Sequence, residues 1–152
     1  MKRRLKGSRK RLYRQSRDGK VVLVGAPSRS EGKINRSIYV LISGEVFKRI
    51  DKPLQGGCVL ENARSILNHS GVEVNYCFAD DLTDESFVRA LKADDVGLVC
   101  ALDSGLFDSG DCAKHRELMM DNCAREGIAF AVANQAGGQD DVIYEGRSFA
   151  VN

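Results

Sequence analysis

Short apolar runs, separated by turn residues at first and by helix-like segments later, constrain the fold of this 152-residue chain more than any other feature. Each run is rich in β-branched or aromatic residues and is closed by glycine, proline or polar residues, which is the pattern of a buried strand. The predicted strands are residues 20–25, 37–43, 46–50, 71–78, 96–102 and 128–133. One of these runs alternates strictly and places four residues on one side: Val72, Val74, Tyr76 and Phe78.

Two helices are predicted between the later strands. The first begins at an N-cap, Thr83 or Asp84, and the second covers residues 111–126 and ends at Gly127. The apolar residues that we expect to face the sheet are Phe87, Val88, Leu91, Leu118, Met119 and Cys123. Strands that alternate with helices in this way predict an α/β layered domain with a mixed sheet.

Antiparallel hairpins are predicted at both ends of that sheet. Gly44-Glu45 forms the turn between the second and third strands, and the segment 28–33 before them is predicted as a polar loop. Near the end, Gly137-Gly138 is predicted to turn the chain. Residues 142–144 and 148–151 are predicted to pair as a closing hairpin.

Charge is distributed unevenly along the chain. Residues 1–20 carry ten Lys or Arg and one acid, whereas the other 132 residues carry 13 basic and 20 acidic groups. This basic arm has four interpretations: a frayed terminus, a nucleic-acid contact through phosphate neutralisation, a contact with an anionic membrane surface, or an organelle-targeting segment.

The five cysteines are widely spaced and form no CxxC pair, so we expect reduced, mostly buried thiols. No run is long enough for a membrane span, and no apolar segment near Met1 resembles a secretory signal. A cytoplasmic protein is therefore expected. No metal-ligand spacing and no glycine-rich nucleotide fingerprint is present, so neither a metal nor a cofactor is predicted.

Residues near the end of the alternating strand are the first candidates for chemistry. Asp80-Asp81 follows that strand, where a carboxylate pair either binds a metal or caps the next helix. Cys77 is the best nucleophile candidate of the five cysteines because it lies close to Asp80, although it also fits a structural role facing the other layer.

The last third of the chain resembles the nitrilase (carbon–nitrogen hydrolase) superfamily, and most of all the glutaminase domain of glutamine-dependent NAD synthetases. That domain carries an Asn-Gln-x-Gly-Gly-Gln-Asp segment before a strand and a Gly-x-Ser-Phe turn. The matching residues are Asn134, Gln135, Gly137, Gly138, Gln139, Asp140, Gly146, Ser148 and Phe149.

Weaker similarity extends upstream to about residue 20. Residues 22–28 resemble the family's Val-Gly-x-Pro strand, and residues 34–42 resemble its next strand. Residues 44–52 resemble the hairpin that delivers the family's catalytic lysine, and residues 78–91 resemble the nucleophile strand with its helix. The resemblance implies a partial nitrilase-like α-β-β-α sandwich half, with a mixed sheet and helices on one face.

The resemblance also implies where the family's chemistry would lie. A cysteine attacks the amide carbonyl, a glutamate acts as general base and a lysine stabilises the oxyanion. Lys52 corresponds to that lysine, with Lys48 as the fallback, and Ala79 stands at the nucleophile position. Cys77 lies two residues before Ala79, about 6.6 Å along a strand, which is too far to replace its sulfur.

Other positions differ from the family as well. No glutamate corresponds to the general base, because only the basic arm precedes Val21. On the substrate side, Asp103, Gly105 and Phe107 occupy the positions of the family's Asn-x-Ser-x-aromatic segment, and the aromatic residue alone is retained.

These residues predict a basic arm at 1–19 and a partial, glutaminase-like domain at 20–152. We expect a truncated glutamine amidohydrolase domain, catalytically inactive because Ala79 replaces the nucleophile and the general base is missing. The alternatives are a non-catalytic binding or assembly module and a nucleic-acid binder acting through residues 1–20. Expected partners are a second copy of this chain or a complementary nitrilase or NAD synthetase chain; a glutamine-like ligand is disfavoured.

Overall fold

The computed structural model describes residues 14–17, 19–30, 32–54, 58–105 and 111–152. The predicted basic arm falls mainly on residues 1–13 and 18, which lie outside this part of the chain, as does Phe107. The chain divides into two units, Met1–Gln55 and Gly56–Asn152. In the part of the chain that is described, no helix is both long and apolar enough to cross a membrane.

The first unit contains an antiparallel sheet in the order β1-β2-β3. Its strands are β1 (Val21–Ser30), β2 (Lys33–Ile42) and β3 (Glu45–Pro53). The predicted hairpin between β2 and β3 is confirmed, but its two-residue turn is Ser43-Gly44 and not the predicted Gly44-Glu45, because Glu45 already pairs with Ile42. Both turn residues have positive φ, 52° and 84°, which suits the right-handed twist of the paired strands.

The polar loop predicted at residues 28–33 is wrong for most of its length. β1 and β2 stay paired up to Ser30 and Lys33, so a turn connects two ten-residue strands. Serine side chains are satisfied within the sheet: the Ser37 hydroxyl donates to Asp51 Oδ1 at 2.6 Å and lies 2.6 Å from the Ser28 hydroxyl. Polar composition misled the prediction because these hydroxyls bond across strands.

The second unit contains a five-stranded mixed sheet in the order β10-β7-β6-β5-β4. The strands are β4 (Ile66–His69), β5 (Val72–Phe78), β6 (Leu98–Asp103), β7 (Ala129–Asn134) and β10 (Phe149–Val151). β5, β6 and β7 run parallel, and the edge strands β4 and β10 are antiparallel to their neighbours. A separate hairpin consists of β8 (Ala136–Gln139) and β9 (Val142–Glu145).

Both helices pack on one face of this sheet, as predicted. They are α1 (Glu85–Ala93) and α2 (Asp111–Glu126), and short 3-10 turns cover Leu60–Arg64 and Ala79–Thr83. Asp84 is the N-cap of α1, and its side chain accepts hydrogen bonds from the first turn. The core between helices and sheet includes Cys77, Phe87, Val88, Leu91, Val99, Ala101, Met119, Cys123, Phe130 and Val132.

Three predictions in this unit are wrong. Leu118 is 42% exposed, because Met119 and Cys123 occupy the buried stripe of α2. Gly137 and Gly138 lie within β8 and do not form the turn, which falls at Asp140 with a φ of 53°.

The third wrong prediction is the closing hairpin between residues 142–144 and 148–151. β9 pairs with β8, whereas β10 pairs with β7. Phe149 of β10 instead packs edge-on against Phe130, with ring centroids 5.7 Å apart, so burial of an aromatic ring decides the pairing.

Candidate active site

Polar residues collect where the three parallel strands of the second unit end. β5 ends at Phe78, β6 at Asp103 and β7 at Asn134, and the register of the strands places these ends at one edge of the sheet. The carboxyl edge of parallel strands is where α/β folds place their ligands and catalytic groups. Ala79 and Asp80 follow β5 directly, and Ser104 and Gly105 follow β6.

Ala79 opens a 3-10 turn, and its methyl group is buried, with 2% of the residue exposed. Cys77, which is fully buried, belongs to the same core between helices and sheet. The two residues therefore project to the same side, as the two-residue spacing predicts. The Cys77 thiol is therefore enclosed in the core and has no solvent-exposed surface.

Buried polar groups hold the turn that carries Ala79. The Phe78 N–H donates to Asp81 Oδ2 at 3.2 Å, and the fully buried Asp81 lies within the turn. Asn122 of α2 donates from Nδ2 to the Leu82 carbonyl at 3.1 Å. The predicted role of Asp80-Asp81 as a cap of the next helix is wrong, because Asp84 caps that helix and Asp81 instead accepts from the start of its own 3-10 turn. Position 79 therefore has a defined place at the end of β5.

Three functional groups from three elements converge beside Gly105. A Cβ atom at this glycine would stand 3.3 Å from Asp103 Oδ2, 3.3 Å from Cys112 Sγ and 3.4 Å from Asn134 Nδ2. Distances this short are tighter than ordinary Cβ contacts, so a side chain at position 105 would push these groups apart. Asn134 Oδ1 accepts from the Gly105 N–H at 3.2 Å, which fixes the orientation of the amide.

Acidic groups surround Asp103. Burial raises the pKa of Asp103, and the nearby carboxylates of Asp80 and Glu145 raise it further. Two groups act in the opposite direction and lower this pKa. They are the Ser104 N–H, which donates to Asp103 Oδ1 at 2.7 Å, and the imidazole of His115. The carboxyl of Asp103 therefore holds its proton more tightly than an exposed aspartate does.

Glu145 anchors the β8–β9 hairpin to this cluster. Its N–H donates to the Gly105 carbonyl at 2.9 Å. Its carboxylate, only 10% exposed, contacts Arg116 at 3.0 Å and Arg147 at 3.2 Å. Arg116 also lies over the Phe149 ring, 5.6 Å from its centroid. Two guanidinium groups thus balance a carboxylate that burial would otherwise destabilise.

The predicted lysine lies in the first unit. Lys52 is on β3, pairs across the sheet with Arg36 of β2, and is 1% exposed. Lys48, the fallback, is on the same strand and is partly exposed. The roles of Lys52, Ala79, Asp103 and Gly105 remain predictions. Within the described ranges, no group of three or more His, Cys, Asp or Glu side chains is arranged to hold a metal ion.

The raised pKa of Asp103 leads to a prediction about stability and pH. An unfolded aspartate titrates near pH 3.9. Because the folded pKa is higher, the stability that the protonated group contributes is complete below that value and is lost as pH rises through the folded pKa. In urea unfolding, Asp103→Asn should therefore gain unfolding free energy relative to wild type. This gain should be larger at pH 7 than at pH 3. The same difference at both pH values would contradict it.

Solved structures share this architecture. A glutamine-dependent NAD+ synthetase from Acinetobacter baumannii superposes with a TM-score of 0.75 and 23% sequence identity, over 99% of this chain and 30% of that chain. A mutant of an amidase from Nesterenkonia sp. AN1, described as a member of the nitrilase superfamily, gives a TM-score of 0.72 and 20% identity over 96% of this chain and 59% of the amidase.

The chain has the nitrilase fold. This confirms the fold that the motif around residues 134–149 predicts. The sequence matches no protein-family model, and no curated protein matches it at a significant level. The chain spans 30% of the length of the NAD+ synthetase and about three fifths of the amidase chains.

Two amidase structures concern the chemistry of this fold. One mutant of the Nesterenkonia amidase shows the result of Michael addition of acrylamide at its active-site cysteine. A cysteine-to-alanine mutant of the same amidase was solved in complex with butyramide. Both observations describe that amidase.

Cys112 and Glu145 were not predicted as residues of the candidate site. Asn134 was used only as part of the sequence motif. The available signal for Asn134 was its place at the end of a predicted strand beside the strand that leads to Asp103. No signal of this kind marks Cys112, which reaches the cluster because α2 begins beside Gly105.

Proposed function

We propose that this chain is a catalytically inactive relative of the carbon–nitrogen hydrolases, one that does not hydrolyse the side-chain amide of glutamine. The observation that carries the proposal is the buried methyl group of Ala79 at the end of β5. This is the position to which the sequence resemblance assigns the nucleophile. A methyl group can neither attack a carbonyl carbon nor form a thioester.

The comparisons support the proposal at the level of fold. The Nesterenkonia amidase works with an active-site cysteine, and its cysteine-to-alanine mutant holds butyramide. By analogy, alanine at position 79 would leave room for an amide while removing the covalent step. The cytoplasm is the compartment we propose, because all five cysteines are thiols, as in a reducing environment.

The direct test measures ammonia release from glutamine by the purified chain. We expect no release above the buffer rate, since the uncatalysed reaction lacks the roughly 10⁶-fold or greater acceleration of an enzyme. Cys77→Ser is the matched control, because Cys77 is the thiol nearest in sequence to Ala79. Robust ammonia release that disappears in Cys77→Ser would overturn the assignment of position 79 and the proposal with it.

An assembly role is the second candidate, and exposed apolar side chains favour it. Phe47 is 57% exposed, Leu54 is 58% exposed and Ile143 is 62% exposed. Each leaves apolar surface in water that a partner would cover, Phe47 and Leu54 on the first unit and Ile143 on the second. Light scattering coupled to size exclusion tests the candidate: a second copy bound at micromolar concentration supports it, and a monomer at all concentrations counts against it.

A further inference from the structure

We propose that Cys112, Asp103 and Asn134 form a reactive thiol centre that adds to α,β-unsaturated carbonyl compounds. The centre does not include Ala79, and it goes beyond the proposed function because the addition releases no ammonia. It consists of a nucleophile, a proton acceptor and a hydrogen-bond donor that come from three different elements of the second unit.

Gly105 brings these groups together. The sulfur of Cys112, the Oδ2 atom of Asp103 and the Nδ2 atom of Asn134 all lie within 3.4 Å of the point where a Cβ would stand. Any side chain at position 105 would therefore displace at least one of them. Close approach also occurs at Gly97, where a Cβ would stand 3.3 Å from Val72 Cγ1, and at Gly146, where it would stand 3.2 Å from Ala136 Cβ. There the neighbouring side-chain atoms are apolar, whereas at Gly105 they belong to three functional groups.

Hydrogen bonds already in place leave the reactive atoms pointing to this cluster. Asn134 Oδ1 accepts from the Gly105 N–H, so its Nδ2 keeps hydrogens that can donate elsewhere. Asp103 Oδ1 accepts from the Ser104 N–H, and Oδ2 is the oxygen beside Gly105. Cys112 lies in the first turn of the 16-residue helix α2.

These roles give a balanced addition. Asp103 takes the thiol proton as the sulfur of Cys112 forms a bond to the β-carbon of the unsaturated compound. The electron pair of the carbon–carbon double bond moves toward the carbonyl oxygen, where the Asn134 N–H stabilises the developing enolate. The proton on Asp103 then passes to the α-carbon, so the product is a thioether and no bond to nitrogen breaks.

Charged groups on every side of the thiol influence this step. His115 is one turn further along α2, and Asp80 and Glu145 approach Asp103 from the turn after β5 and from β9. Arg116 and Arg147 pair with Glu145 and offset its charge. Asp103 is the acid whose oxygen lies with the Cys112 sulfur beside Gly105, and the acid on β9 is paired with two guanidinium groups.

The other cysteines provide the comparison. Cys77 and Cys123 are fully buried, and burial raises the pKa of the Cys123 thiol to about 11. Burial also raises the pKa of Cys100. Cys58 is partly exposed, like Cys112, but it packs against the apolar core. Cys58 is therefore the matched reference thiol within the same molecule.

The experiment treats the full chain with limiting acrylamide near neutral pH and measures the adduct at each cysteine by peptide mass spectrometry over time. We expect Cys112 to react about tenfold faster than Cys58 or more, because a positioned base and an oxyanion donor both act on it. Asn134→Asp keeps the acceptor for Gly105 and removes the N–H donor. Asp103→Asn removes the base.

Each variant is expected to slow Cys112 about tenfold and to leave the rate at Cys58 unchanged. Adducts at Cys77 and Cys123 would reveal a variant that has unfolded. In that case the ratio of the Cys112 rate to the Cys58 rate in the wild type decides whether the proposal holds. Equal rates at Cys112 and Cys58 in the wild type, or a Cys112 rate that neither folded variant changes, would overturn the proposal. Ammonia release from glutamine is measured separately, so the two proposals fail independently.

Discussion

Phe130→Ala is expected to lower the free energy of unfolding by about 3–5 kcal/mol. Phe130 lies on β7, between β10 and β6 in the five-stranded sheet, and is 1% exposed. Its ring meets that of Phe149 edge-on at 5.7 Å. The substitution removes the buried apolar surface, leaves a cavity under the helices and withdraws the ring that holds β10.

Urea unfolding followed by circular dichroism measures this loss, and Phe47→Ala is the matched control. Phe47 is 57% exposed, so the same chemical change there should alter the stability by about 0.5 kcal/mol or less. A loss for Phe130→Ala no larger than that for Phe47→Ala would contradict the described core.

Asp81→Ala is expected to cost about 2–3 kcal/mol, because it removes the buried side chain that accepts from a buried N–H. Asp81 is fully buried, and its Oδ2 accepts from the Phe78 N–H at 3.2 Å. Without the carboxylate, the Phe78 N–H loses this acceptor while it stays buried. The 3-10 turn that begins at Ala79 then loses the hydrogen bond that ties Asp81 to the end of β5. The loss should appear in the same unfolding assay.

Asp84→Ala provides the contrast for Asp81. Asp84 accepts from the Ser86 N–H at 2.8 Å and from the Phe87 N–H at 3.2 Å, at the more exposed start of α1. Water can replace part of these bonds, so a helix N-cap of this kind is worth about 1 kcal/mol. If Asp84→Ala cost as much as Asp81→Ala, burial would not be what makes Asp81 important.

Local signals in the sequence predicted the helices well. Asp84 was one of two predicted N-caps, with Thr83 the other, and the apolar spacing of Phe87, Val88 and Leu91 predicted the buried face of α1. Gly127, with a φ of 65°, ends α2 as predicted. Strand partners were harder, since the pairing of β10 with β7 depends on Phe149 meeting Phe130, 19 residues away in the chain. No local pattern encodes such a contact.

The candidate site, too, could be predicted from the sequence only in part. The resemblance directed attention to Asp103 and Gly105, and the structure places them beside one another at the carboxyl edge of the sheet. Cys112 could not be predicted from that resemblance, because its place in the cluster depends on where α2 starts relative to β6. The chain geometry between strands, and not the residue pattern, sets that position.

The parallel pairing of β5, β6 and β7 has a consequence for the order of folding. β2 and β3 meet through a two-residue turn, which closes on the microsecond timescale. Cys77 must instead find Ala101, and Ala101 must find Val132, each across a crossover that contains a helix. Loop-closure entropy makes these contacts slow to form. We therefore expect the parallel pairing of β5, β6 and β7, with the apolar surface around Phe130, to form later than the β2–β3 hairpin.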